Sequence, residues 1–116
     1  MNKLFVDDEW TLPGRFPGCD WICVANIEEA KRVLIQNKGK ITHLSLDSDL
    51  GLGDGKEGPD LTAWLSEEWF LNGNDYWPTE SLTIHSRNSQ GRARMKSDCQ
   101  NSRYNPRTWI YEDILI

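Results

Sequence analysis

The sequence predicts one α/β domain with a central, mainly parallel five-stranded sheet covered by helices on both faces. Three observations predict it. Five short apolar runs alternate with helix-compatible segments, the pattern of strands joined through crossover helices. The 116 residues leave room for one core, and 38% hydrophobic content with six tryptophans is enough to fill it. Aspartates follow two of the runs and a serine follows a third, as polar groups do at the carboxyl edge of such a sheet.

Residues Lys3 to Val6 form the first run, stopped by Asp7, Asp8 and Glu9. The segment from Trp10 to Asp20 holds Pro13, Gly14, Pro17 and Gly18, which cannot continue a helix, so it is a loop. Trp21 to Ala25 is the second strand. Asn26 is an N-cap with Glu29 three residues on, as in a capping box. Ile27, Ala30, Val33 and Leu34 share one face of the helix that follows, and Gly39 terminates it. Ile41 to Leu46 is the third strand. Asp60 caps the next helix, which carries Leu61, Trp64, Leu65 and Phe70 and ends around "LNGN". Leu82 to His85 is the fourth strand, Gln90 to about Gln100 a polar helix, and Arg107 to Tyr111 the last strand.

In an open parallel sheet, ligands bind beyond the carboxyl ends of the strands, near the point where strand order reverses. Asp7 and Asp8 follow strand one, Asp47 and Asp49 follow strand three, and Ser86 follows strand four. All fall on one edge. Crowded carboxylates repel one another unless a cation neutralises them, and Mg2+ takes such oxygen ligands. Asp7, Asp8, Asp47 and Asp49 are therefore the candidate metal ligands, for Mg2+ or Mn2+. Ser86, Asn88 and Arg92 are candidates for holding phosphate oxygens, and His85 for proton transfer. The plainer reading, helix caps and Asx turns, fits Asp20, Asp54 and Asp60, and stands beside the site reading for the other aspartates. His43, alternating inside a strand, reads as structural.

Other motifs fail on spacing. Gly51, Gly53 and Gly55 have no Lys-Ser/Thr pair after them and miss the dinucleotide fingerprint. Gly51 occupies a ligand position of an EF-hand loop. A net charge of −5 excludes broad sequence-independent DNA binding, though not a small phosphorylated ligand met through a cation. Cys19, Cys23 and Cys99 form no zinc pattern, and Cys23 reads as a core residue. Free thiols point to the cytoplasm. The N-terminus turns acidic too soon for a signal peptide, and no apolar run reaches membrane-spanning length.

The motifs "LFVDDEW", "LSLDSDLG" and "IHSRNSQGRARM" occur in this order over roughly residues 3 to 100. An acidic pair after strand one, an aspartate after strand three and a hydroxyl after strand four resemble the receiver domain of response regulators. That resemblance implies a flavodoxin-like three-layer sandwich, Mg2+ at the acidic pair, and roles for Asp7, Asp8, Asp47 and Ser86. The receiver lysine after the fifth strand has no counterpart, and the loop from Trp10 to Asp20 replaces the first helix. The three motifs together more closely resemble the cyclic-phosphate processing receiver domains. In that family Arg tends to stand at the place of Trp10 and His at the place of Ser48.

The resemblance implies metal-assisted processing, or simple binding, of cyclic or terminal phosphates of nucleotides or RNA ends. In this reading the chain is a metal-dependent phosphoesterase in which Asp47 and His85 carry the chemistry. The other reading is a non-catalytic module, a small regulator or inhibitor that binds a protein partner. Trp10, Tyr76, Trp77 and Tyr104, placed in loops, would be its contact residues.

Overall fold

Strand β1 (Lys3–Val6) lies at the interior of a five-stranded parallel sheet, flanked by β2 (Trp21–Val24) and β3 (His43–Leu46). The sheet continues through β4 (Ser81–Ile84) to β5 (Tyr111–Asp113), giving the order β2-β1-β3-β4-β5. This is the flavodoxin-like order, whose switch point lies between β1 and β3. The computed structural model describes residues 2–14, 16–47, 50, 57–85, 89–100 and 111–113, with backbone alone at 89, 92, 96, 99, 100 and 111–113.

Three helices join the strands: α1 (Ile27–Gln36), α2 (Gly58–Asn72) and α3 (Ser89–Gln100). Their connections, β2 to β3, β3 to β4 and β4 to β5, all step across the sheet in one direction. Right-handed crossovers therefore put all three described helices on one face, where the sequence predicts helices on both. The buried cluster agrees. Leu4, Val6, Leu44, Leu46, Leu82 and Ile84 from the strands join Ile27, Ala30 and Leu34 of α1, Leu61 and Leu65 of α2, and Met95 of α3. Each of these Leu, Ile, Val and Met side chains taken from water contributes roughly 1.5–3 kcal/mol. The β1–β2 connection steps the opposite way, so its turn right-handedly reaches the second face. Among the described residues that connection holds turns and no helix, as the prolines and glycines required.

Local chemistry explains the helix ends. The Asn26 side chain accepts from the Glu29 N–H at 2.9 Å, and the Glu29 carboxylate accepts from the Ala25 N–H at 2.9 Å. Glu28 and Glu29 also set negative charge against the α1 N-terminus. Helix α2 stops at Gly73, whose φ of 69° is left-handed and costs glycine nothing. Thr62 of α2 donates to the Asp98 carboxylate of α3 at 2.7 Å, tying the polar third helix down.

Several sequence expectations need adjustment. The residue capping α2 is Glu57; Asp60 is three residues inside and accepts from the Glu57 N–H at 2.7 Å. Phe70 is 59% exposed, because nine residues of helix turn it about 180° from Leu61. The third strand starts at His43: Ile41 is buried, but its carbonyl accepts from the Thr79 N–H outside the ladder. The last strand is Tyr111–Asp113; residues 107–110, expected to begin it, lie outside the described residues. Trp77 is no surface aromatic but is 2% exposed within the core, and Tyr76 stacks on Trp64 at 5.2 Å. Tyr104 and Asp54 lie outside the described residues.

Candidate functional site

The parallel ladder runs one residue past the end of three strands. The Asp7 N–H donates to the Val24 carbonyl, that of Asp47 to Val6 and that of His85 to Leu46, at 3.0–3.1 Å. This extra row places Asp7, Asp47 and His85 side by side at the carboxyl edge, across β1, β3 and β4. Strand alternation turns them away from the helix-covered face. Phe5, Ser45 and Thr83 form the row beneath, in mutual register.

All three edge side chains are buried: Asp7 is 0% exposed, Asp47 6% and His85 1%. One ligand atom from each lies within 4.8 Å of the other two. The His85 Nε2 is 3.2 Å from Asp7 Oδ2, and its Nδ1 is 2.7 Å from the Ser45 hydroxyl. The imidazole lies flat on Phe5, with ring centroids 4.5 Å apart and planes 1° apart. Phe5 itself meets the Trp21 ring edge-on at 6.0 Å. The other Asp7 oxygen accepts from the Glu9 N–H at 2.8 Å, which fixes the carboxylate at the start of the turn. Asp7, Asp8 and Glu9 make a second group whose ligand atoms lie within 4.8 Å, grading from buried to exposed.

The structure thus brings together Asp7, Asp47 and His85 among the residues singled out from sequence, with Asp8 beside them in the turn. Asp49, Ser86 and Asn88 lie outside the described residues; Arg92 is in α3, its side chain likewise outside. Sequence reasoning passed over Ser45, Phe5 and Glu9. Ser45 and Phe5 carried a usable signal: each precedes an edge aspartate by two residues, so each shares its face. His43 is half-buried with Nδ1 2.8 Å from the Thr42 hydroxyl, the structural role expected of it.

An open cavity of about 380 Å³ lies in the β1–β2 connection, lined by Trp10, Thr11 and Phe16. The Trp10 and Phe16 rings stand 6.2 Å apart, and the Trp10 N–H donates to the Asp7 carbonyl at 3.3 Å. The aromatic hollow is therefore one turn from the acidic edge. Elsewhere, burial raises the Cys23 thiol above its usual range. No helix among the described residues is long and apolar enough to cross a membrane.

The two groups that share Asp7, one with Asp47 and His85 and one with Asp8 and Glu9, offer mostly carboxylate oxygens, which fit a divalent cation of the Mg2+ or Mn2+ kind. A 2-1-3-4-5 parallel sheet with acidic residues after β1 and β3 defines a receiver-like domain. The model of the cyclic-phosphate processing receiver domain matches residues 2–101, and the chain belongs to that family. Its role is accordingly linked to cyclic-phosphate processing. No curated protein and no solved structure matches it.

Proposed function

We propose that the chain binds a cyclic or terminal phosphate of a nucleotide or RNA end, and processes it with a metal ion, at the carboxyl edge of the sheet. The observation that carries this reading is the burial of Asp7 and Asp47 beside His85, with ligand atoms within 4.8 Å, in a member of this family. Two carboxylates withdrawn from water side by side favour a cation between them.

Asp7, Asp8, Asp47 and Asp49 hold the cation in this reading. Ser86, Asn88 and Arg92, which follow β4 in the sequence, hold phosphate oxygens in the same reading. When bound, the ion supplies Lewis-acid polarisation and charge neutralisation to the phosphoester. The hollow at Trp10 and Phe16 offers a stacking surface to the base of a nucleotide. His85, the proton-transfer candidate of the sequence, has partners at both ring nitrogens, the Ser45 hydroxyl and the Asp7 carboxylate.

The test is titration of Mg2+ and Mn2+ into wild type and Asp47→Ala, followed by assay against 2′,3′-cyclic and cyclic-oligonucleotide phosphates. Metal binding with turnover, or with tight phosphate binding, in wild type alone is expected. Absence of both in wild type would overturn the reading. The non-catalytic module draws less support, since Trp77 and Tyr76 pack inward; a partner complex that survives Asp47→Ala would restore it.

A further inference from the structure

We infer that His85 is itself a metal ligand, with Asp7 and Asp47, that Ser45 holds its ring in the ligating orientation, and that this donor set selects a first-row transition ion such as Mn2+ over Mg2+. The inference rests on the preceding reading that a cation occupies this edge, and assigns that cation a nitrogen donor.

Three contacts fix the imidazole. Phe5 sets its plane, the Ser45 hydroxyl meets Nδ1 at 2.7 Å, and Nε2 faces Asp7 Oδ2 at 3.2 Å. With the ring 1% exposed, Nε2 is turned to the carboxylates of its own cluster rather than to solvent. When Nδ1–H donates to the Ser45 oxygen, Nε2 carries a lone pair aimed at a carboxylate oxygen. In that tautomer the lone pair is available to a cation; in the other, Nε2–H donates to Asp7 Oδ2.

The spacing is one that two ligands of a single ion share. Two ligands on one ion, each at about 2.0–2.2 Å and subtending 90–110°, stand roughly 2.8–3.6 Å apart. An ordinary N–H···O hydrogen bond spans about 2.7–3.2 Å. The 3.2 Å between Nε2 and Oδ2 lies within the first range and at the end of the second. The third donor, Asp47, is already within 4.8 Å of both. Ser45 then has the place of the outer partner by which a metal-bound histidine is held at its other nitrogen. Imidazole suits Mn2+, Fe2+ and Zn2+ better than Mg2+, which favours oxygen ligands and retained water.

Calorimetric titration of the full chain with Mg2+ and with Mn2+ tests this, together with the visible absorption of the Co2+-loaded protein. Wild type is expected to bind Mn2+ at least ~10-fold tighter than Mg2+, and His85→Ala to remove most of that preference while leaving Mg2+ affinity within about three-fold. Ser45→Ala is expected to weaken Mn2+ by ~10-fold or more, and Ser45→Thr, which keeps the hydroxyl, to recover it. Pulsed EPR of Mn2+-loaded wild type labelled with 15N-histidine needs no substitution and is expected to show coupling to a ring nitrogen. An unchanged Mn2+ preference and Co2+ spectrum in His85→Ala, or no nitrogen coupling in wild type, would overturn the inference and leave the cation site standing. A wild type that binds no ion overturns both.

Discussion

Leu82 and Thr83 are neighbours on β4 that point in opposite directions, and the sheet divides between them. On the side of Leu82 lie Leu4, Val6, Leu44, Leu46 and Ile84, fully buried under three helices. On the side of Thr83 lie Lys3, Phe5, Trp21, Cys23, His43 and Ser45, with Asp7, Asp47 and His85 at the rim. The first face has a single requirement, apolar volume. The second carries ionisable, hydroxyl and aromatic groups in register, and Lys3, Trp21, Cys23 and His43 on it are only half-buried. One set of strands therefore separates stability from chemistry by parity alone.

The largest effect expected from that division is Leu82→Ala, which opens a cavity in a fully buried position. It should cost about 2–5 kcal/mol, read from the urea midpoint. Next comes the cation. At a concentration ~100 times its Kd, Mn2+ should add about 2.7 kcal/mol to wild-type stability and nothing to Asp47→Ala, as followed by thermal melts. Thr83→Ala, one residue from Leu82, should cost under about 1 kcal/mol; a loss as large as that of Leu82→Ala would break the comparison.

The smallest effect concerns thiol reactivity on the second face. Burial raises the Cys23 pKa, whereas Cys19 is exposed. The thiolate is the reactive form, so Cys23 should be alkylated more slowly than Cys19 near pH 8 and gain rate as pH rises toward its own pKa. The sign for stability follows. A raised folded-state pKa disfavours the thiolate in the fold, so this contribution is present at neutral pH and lost as pH rises through the unfolded and then the folded value. Mass spectrometry of a time course reads both thiols in one sample.

Element order was legible because strands and helices have different periods and because Asn26, Gly39 and the "LNGN" turn punctuate them. The edge aspartates were legible because the topology sends the ends of β1 and β3 to one place. Which face each group would take was harder to read. His85 was assigned to the end of a strand, and one step in register decides whether it points to the core or to the acidic rim. Ser45 looked like an ordinary strand residue until β4 placed His85 beside it, 40 positions further along the chain. The single-sided helix layer depended on the direction in which each connection crosses the sheet, and strand order, not composition, sets that.

Glu57 does more than begin α2. Its carboxylate also accepts from the Leu50 N–H, so the two flanks of the glycine-rich stretch between them are clasped together. A clasped stretch can change length at little cost: doubling a loop adds only about 0.6 kcal/mol of closure entropy. Insertions there would leave Asp47 and the start of α2 where they are. The Leu50–Glu57 contact thus ties the end of the β3 edge to the start of α2 independently of the chain between them.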